Sequence, residues 1–170
     1  NWQDNVYPSY LEVSFSNACN FACAYCSPEI SSKWMEDIKQ NGEYPTTHGS
    51  HNLDYLEKSG KMPYKNREHN PYVEAFWKWF PDALPHLKVL RITGGEPTII
   101  ERVYWIMEKC VEMGIAKDID LVFNSNMTNI QSRYLNLVEQ FKNVLMCVSV
   151  DAYGHENEYI RGASHWKQVE

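Results

Sequence analysis

The chain has 170 residues, of which 44% are hydrophobic, and a formal net charge of −6, so it is long enough for one domain with a real core. No apolar run approaches the roughly 18 residues that a membrane-spanning helix requires, and the N-terminal residues have neither the basic nor the apolar region of a signal peptide. The acidic balance and the absence of a Lys/Arg-rich run argue against nucleic-acid binding, and we expect a cytoplasmic protein without a membrane or nucleic-acid partner.

The first predicted element is a strand at 11–15, where apolar and polar residues alternate. Three cysteines, Cys19, Cys23 and Cys26, follow it at once in the pattern C-x3-C-x2-C. Residues 29–70 then form a long polar segment. A connection of this length is uncommon in a compact domain unless it has a role, so we interpret 29–70 as an insertion that folds over or beside the cysteine loop.

From residue 71 onward, helical and strand patterns alternate. Gly114 is predicted to end one helix and Ser132 to cap the next. The last strand is nearly all apolar, as expected of a parallel strand buried on both faces. The predicted elements are short helices near 31–40 and 53–59, a helix at 71–84, a strand at 88–93, a helix at 99–113, a strand at 118–124, a helix at 132–141 and a strand at 143–150.

This order predicts an α/β fold with parallel strands, because each crossover is long enough for parallel pairing. About four βα units are present, and the residues alone leave two alternatives, part of a barrel or an open parallel sheet. The last residues, 164–170, have the pattern of the first turns of another helix. We therefore expect the chain to be a fragment of a longer protein.

The cysteine cluster predicts a metal site. Three thiolates in one loop can hold three corners of a cubane iron–sulfur cluster and leave the fourth iron open to another ligand. A zinc site is an alternative in which a histidine of the insertion supplies the fourth ligand, and three cysteines that merely pack together are a further one. Cys110 and Cys147 lie in apolar segments and are predicted to pack in the core. The histidines considered for zinc are His48, His51 and His69.

The cysteine pattern, placed after a first strand and with Tyr25 before the last cysteine, resembles the signature of the radical S-adenosylmethionine (radical SAM) enzymes. The resemblance implies a TIM-like (β/α)6 barrel, of which this chain would contain the N-terminal part. It implies that the three cysteines hold a 4Fe-4S cluster, that S-adenosylmethionine chelates the open iron, and that Tyr25 lies near the adenine. Reductive cleavage of that cofactor would release a 5′-deoxyadenosyl radical that abstracts a hydrogen atom from the substrate.

Further matches lie at the ends of the later strands. The turn GGEP follows the second strand, and the resemblance implies that Gly94, Gly95 and Glu96 contact the methionyl amino group, while Pro97 can start the next helix. In the peptide-modifying branch a Thr-Asn-Gly turn often follows the third strand, and here FNSNMT lacks the glycine. A Ser-x-Asp segment and an arginine–glycine pair imply a contact with the ribose and with the cofactor carboxylate. Asn124 and Asn126 are assigned to the turn after the third strand, Ser149 to the ribose and Arg161 to the cofactor carboxylate. Asp151 belongs to the Ser-x-Asp segment and has a turn cap as its alternative role.

The sequence therefore predicts a radical SAM enzyme that acts on a peptide or a small molecule, of an oxidoreductase or peptide-modifying type, with an electron donor such as flavodoxin or ferredoxin. The stretch 19–34 further resembles twitch-domain or SPASM-like members, whose auxiliary clusters would lie past residue 170. No residue is assigned to catalysis on the substrate. The alternative is a non-catalytic binding module that keeps the cluster or zinc for stability.

Overall fold

The structure is a computed structural model that describes residues 3–4, 6–65 and 68–170. Helices and strands alternate along most of the chain. Short 3-10 turns at Leu84–His86, Pro97–Ile99 and Ala116–Asp118 connect them. The elements are β1 Tyr10–Ser14, β2 Ala22–Cys23, α1 Ser32–Asn41, α2 Leu53–Lys58, α3 Pro71–Ala83, β3 Val89–Thr93, α4 Glu101–Glu112, β4 Asp120–Ser125, α5 Ser132–Val138, β5 Asn143–Val148, α6 Gly154–Ile160, β6 Arg161–Gly162 and α7 Trp166–Val169.

Four strands form one parallel sheet in the order β1-β3-β4-β5. The predicted α/β class with parallel strands is confirmed, and the sheet corresponds to part of a TIM-like barrel. The two-residue strands β2 and β6 form a separate antiparallel pair. Because the strands of the main sheet are parallel, the cysteine loop, the GGEP turn and the end of β4 meet at the carboxyl edge of the sheet.

Helices α3, α4 and α5 cover one face of this sheet. Leu90 and Ile92 of β3 and Leu121 and Phe123 of β4 point into that layer and are fully buried. They pack with Tyr134 of α5 and with helix side chains whose spacing predicted an apolar face, namely Phe80, Val103, Ile106, Met107 and Cys110. The predicted core position of Cys110 is confirmed.

The predicted end of α4 is also confirmed. Gly114 has a φ of +70°, which favours glycine, and its N–H donates to Val111 over 2.9 Å. The N–H of Ile115 reaches back to the carbonyl of Cys110 over 3.1 Å, so the helix ends in a Schellman motif. At the other end, Pro97 starts the 3-10 turn Pro97–Ile99, and α4 itself begins at Glu101.

Three sequence predictions are wrong. Ser132 is the first helical residue of α5, and Gln131 occupies the cap position without a side-chain cap bond. Strand β5 is mostly exposed, because within the described residues it pairs with β4 alone and forms the edge of the sheet. Cys147 on that strand is therefore exposed rather than packed in the core. Helix α6, between β5 and β6, had not been predicted.

Among the residues that the structure describes, the longest helix has 13 residues, and no helix combines the length and the hydropathy needed to cross a lipid bilayer.

Candidate functional site

One cavity of about 160 Å³ brings together most of the residues that the sequence singled out. It lies where the cysteine loop faces the carboxyl ends of β3, β4 and β5. Ile30 and Ser125 also contribute, although neither was predicted. The predicted residues that line it are Cys19, Cys23, Tyr25, Cys26, Gly94, Gly95, Glu96, Asn124, Asn126, Ser149 and Arg161.

The three cysteines of the loop are free thiols held in different local structures. Cys23 lies on β2 and pairs with Arg161 of β6 in the small antiparallel sheet. The N–H of Cys26 donates to the carbonyl of Cys23 over 2.9 Å, which closes a tight turn. The N–H of Phe21 donates to the sulfur of Cys19 over 3.5 Å. The backbone thus directs all three thiols to one cavity.

The thiols also interact electrostatically. A hydrogen bond from the Cys26 thiol lowers the pKa of Cys23 to about 7, and the positive charge of Arg161 acts in the same direction. The same hydrogen bond raises the pKa of Cys26, and burial raises the pKa of Cys19. One thiolate is therefore available near neutral pH, and the other two thiols would lose their protons to a bound metal.

The GGEP turn packs directly against the cysteine loop. The N–H of Gly95 donates to the carbonyl of Ser16 over 3.1 Å, and the N–H of Glu96 donates to that of Ala18 over 2.7 Å. A Cβ atom on Gly95 would lie 2.1 Å from the Ala18 carbonyl oxygen, and one on Gly94, whose φ is +120°, would lie 2.8 Å from that of Ser16. Both glycines are therefore required for the close approach of the two backbones.

Glu96 connects this turn to the end of β4. Its carboxylate is buried, and Oε1 accepts hydrogen bonds from Ser125 Oγ at 2.6 Å and from the hydroxyl and N–H of Thr98. Oε2 accepts from the N–H of Asn126 at 2.7 Å. Oε2 has two lone pairs and accepts only this one hydrogen bond among the described residues, so it can accept a second donor.

The side chain of Asn126 fastens the end of β4 to the cysteine loop. Its Nδ2 donates to Asn20 over 2.8 Å, while its Oδ1 accepts from the N–H of Thr128. Met127 has a φ of +56°, a left-handed conformation that few residues other than glycine adopt. Met127 thus adopts, in a stretch that lacks glycine, a backbone conformation that glycine would adopt readily.

Arg161 also lines the cavity. Its Nη1 donates to Asp151 Oδ2 over 2.9 Å and to the hydroxyl of Tyr25, which itself donates to the same carboxylate over 2.8 Å. Asp151 thus pairs with Arg161 instead of capping the next turn, and it does not line the cavity. The Nε of Arg161 is buried and has no hydrogen-bond partner among the described residues.

The insertion lies beside the cysteine loop. The indole N–H of Trp34 donates to the carbonyl of Cys23 over 2.8 Å, and Nε2 of His51 lies 3.1 Å from the carbonyl oxygen of Cys26. His69 pairs with Glu74, and none of the three histidines considered for zinc lines the cavity. In the described part of the chain, no group of three or more His, Cys, Asp or Glu side chains has the geometry to hold a single metal ion. A cubane cluster differs in this respect, because each thiolate binds a different iron.

Comparison with known proteins identifies a family to which the chain belongs. The family model of the Radical SAM superfamily matches residues 13–170. A GTP 3′,8-cyclase from Aliarcobacter butzleri (strain RM4018) is 27% identical over 118 residues, which cover 69% of this chain and 27% of that relative. The chain thus spans about a quarter of the relative's length. No solved structure matches the chain.

Proposed function

The chain belongs to the Radical SAM superfamily, and we propose that it binds a 4Fe-4S cluster and S-adenosylmethionine and uses them to abstract a hydrogen atom from a substrate. The observation that carries this proposal is the cavity in which the three loop cysteines, the GGEP turn and Arg161 face one another. When bound and reduced, the cluster supplies the electron that splits S-adenosylmethionine into methionine and a 5′-deoxyadenosyl radical.

The groups that line the cavity fit such a cofactor. The thiols of Cys19, Cys23 and Cys26 are free, and three thiolates leave one iron of a cubane cluster open. The remaining acceptor position on Glu96 Oε2 suits a donated N–H from the methionyl amino group. The unpartnered Nε of Arg161 suits an acceptor such as the methionyl carboxylate, because a buried guanidinium donor without a partner costs free energy.

The remaining predicted residues receive less direct roles. Ser149 and Asn124 line the cavity with hydroxyl and amide groups that can bind the ribose. Tyr25 is 60% exposed at the edge of the cavity, where its ring can cover the adenine. Gly94 and Gly95 keep the turn close to the cysteine loop, and Pro97 is buried outside the cavity wall.

The substrate class and the partners belong to the same proposal. We expect a peptide or a small molecule as substrate, an oxidoreductase or peptide-modifying reaction, and an electron donor such as flavodoxin or ferredoxin in the cytoplasm. The cyclase relative is 27% identical over 118 residues, and a likeness of this kind supports the type of chemistry rather than the substrate.

Anaerobic reconstitution with iron and sulfide tests the proposal. The wild-type chain should acquire about four irons and four sulfides and a broad brown absorbance, and it should release 5′-deoxyadenosine from S-adenosylmethionine under dithionite. Cys23→Ala should lose all of these, whereas the matched control Cys147→Ala, which changes an exposed cysteine outside the loop, should keep them. A colourless product that binds one zinc would contradict the proposal.

The same experiment separates the enzyme from a non-catalytic module. A module would acquire the cluster, but S-adenosylmethionine would neither change its electron paramagnetic resonance spectrum nor be cleaved. Polar groups from the loop and from the ends of β3, β4 and β5 converge on the cavity, which favours the enzyme.

A further inference from the structure

Asn157 of α6 is a buried polar residue that the proposed function leaves without a role. It is fully buried and lies outside the wall of the cofactor cavity. Its Oδ1 accepts the backbone N–H of Asp151 over 3.1 Å, and its buried Nδ2 has no hydrogen-bond partner in the described part of the chain. An unsatisfied buried donor costs free energy, so packing alone would favour an apolar side chain here. The hydrogen bond to Asp151 therefore accounts for the asparagine.

Asn157 holds the main chain of both partners of an ion pair. Its side chain binds the N–H of Asp151, and its backbone carbonyl accepts the N–H of Arg161 at the end of α6. The side chains of these two residues meet where Nη1 of Arg161 donates to Oδ2 of Asp151 over 2.9 Å. One residue thus fixes the two backbone positions from which the ion pair is built. The alignment of the carboxylate with the guanidinium depends on it.

The ion pair in turn orients the guanidinium in the cavity. Arg161 lines the cavity and is only 6% exposed. Its Nη1 also donates to the hydroxyl of Tyr25, which donates to the same carboxylate oxygen of Asp151. A guanidinium is planar and rigid, so the contacts at Nη1 determine where its other donors lie. A shift of the Asp151 backbone would therefore move the donors of Arg161 relative to the cavity.

The segment between β5 and α6 is fixed at both ends. At one end, the N–H of Ser149 donates to the carbonyl of Ser125 over 2.9 Å. At the other end, Asp151 is held by Asn157, six residues further along the chain. Because Ser149 also lines the cavity, Asn157 stabilises a segment that carries one cavity residue and the carboxylate partner of another.

Asn70 shows how an asparagine with a local role differs. Its Oδ1 accepts the N–H of Tyr72 over 3.0 Å and that of Val73 over 3.4 Å, so it caps α3, the helix that follows it directly. Asn157 instead lies inside its helix and binds a residue that precedes that helix. The loss of Asn70 would thus affect the start of α3, whereas the loss of Asn157 would affect the ion pair at the cavity.

We propose that Asn157 is a positioning residue for S-adenosylmethionine, which acts through Asp151 and Arg161 to hold the guanidinium where it binds the methionyl carboxylate. This inference rests on the proposed function, since it adds a residue to the same site. Asn157 itself makes no contact with the cofactor in this assignment. Its effect should therefore be confined to ligands that have the carboxylate, because only these use the guanidinium.

Binding of two probes to the reconstituted full chain, without a reductant, tests this inference by equilibrium dialysis. S-adenosylmethionine and decarboxylated S-adenosylmethionine share the adenosine, the sulfonium and the amino group, and only the first has a carboxylate. Asn157→Leu keeps the approximate size of the side chain but removes the acceptor. We expect it to weaken S-adenosylmethionine about ten-fold and the decarboxylated probe less than about two-fold. The control Asn70→Leu should lower the stability and leave both affinities within about two-fold of wild type.

Asn157→Ala removes the same acceptor without adding volume, and it should show the same difference between the probes. In the chain without cluster, the N–H of Asp151 should exchange with deuterium faster in both variants than in wild type. An equal loss of affinity for both probes, an unchanged affinity for S-adenosylmethionine, or unchanged exchange at Asp151 would overturn the inference. A wild-type chain that binds neither probe would instead contradict the proposed function, on which this role depends.

Discussion

The hydroxyl of Ser125 donates a hydrogen bond of 2.6 Å to the buried carboxylate of Glu96, which joins the turn after β3 to the end of β4. Ser125 was not a predicted site residue, although it interrupts an apolar strand just before Asn126. Its hydroxyl also accepts the N–H of Met127 over 2.9 Å. Glu96 and Ser125 therefore connect the ends of two neighbouring strands at the carboxyl edge of the sheet.

Replacing Glu96 by Gln should destabilise the protein and weaken S-adenosylmethionine binding. An amide has one acceptor oxygen, so either the donors at Oε1 or the N–H of Asn126 would face an NH2 group. We expect a loss of about 2–3 kcal/mol in the free energy of unfolding, measured by urea denaturation. Glu112→Gln, which removes an exposed ion pair with Lys109, should change it by less than about 0.5 kcal/mol. Equal effects of the two substitutions would contradict the role of Glu96.

Adding a methyl group to Gly95 should separate the GGEP turn from the cysteine loop. The new Cβ would stand 2.1 Å from the Ala18 carbonyl oxygen, so the backbone has to move. We expect Gly95→Ala to cost about 3 kcal/mol and to lower the iron bound on reconstitution. Gly60→Ala is the control, since its Cβ meets no atom within 4 Å and only its φ of +68° opposes alanine, at about 1 kcal/mol. Full iron binding by Gly95→Ala would show that the contact is dispensable.

The stability that Cys110 contributes should depend on pH. Burial raises the pKa of its thiol to about 12 in the folded chain, from an ordinary value of 9.0. A raised pKa in the folded state means that the contribution is complete below about pH 9 and declines as the pH rises towards about 12. The difference in unfolding free energy between wild type and Cys110→Ala should therefore shrink across that window.

The exposed edge strand should promote self-association of the 170-residue chain. Val144, Leu145 and Val148 of β5 are exposed next to unpaired backbone groups. We expect size-exclusion chromatography to show oligomers, and Leu145→Lys to reduce them. Leu135→Lys places the same charge on an exposed leucine of α5 and should leave the elution unchanged. A stable monomer of the wild-type chain would contradict this prediction.

The insertion should report cluster binding in limited proteolysis. Residues 43–52 are irregular and largely exposed, so we expect the first cuts there. His51 and Trp34 contact the carbonyls of the cysteine loop, so a bound cluster should slow the cutting. His51→Ala should weaken that protection, while His48→Ala, a change of an exposed histidine in the same segment, should not. Equal rates of cutting with and without the cluster would contradict the proposed link between cluster binding and protection of the insertion.

Much of this molecule follows from local patterns. The patterns of apolar residues predicted α3, α4 and the strands of the main sheet, because a helix face and a pleated strand bury side chains with fixed periods. The spacing of Cys19, Cys23 and Cys26 and the GGEP turn selected the family, since these residues are neighbours in the sequence. The predicted ends of α5 and the burial of β5 were less accurate, because caps and edges depend on partners from other segments.

The sequence by itself determined the class of fold, the cysteine loop and the family, because each rests on residues close together in the chain. Only the tertiary structure decided which atoms remain available in the site. It showed that Asp151 pairs with Arg161, that Glu96 retains one acceptor position, and that Asn157 holds the backbones of both Asp151 and Arg161. These properties depend on contacts between different segments, such as that between Glu96 and Asn126, which are 30 residues apart, and periodicity along one strand does not encode them.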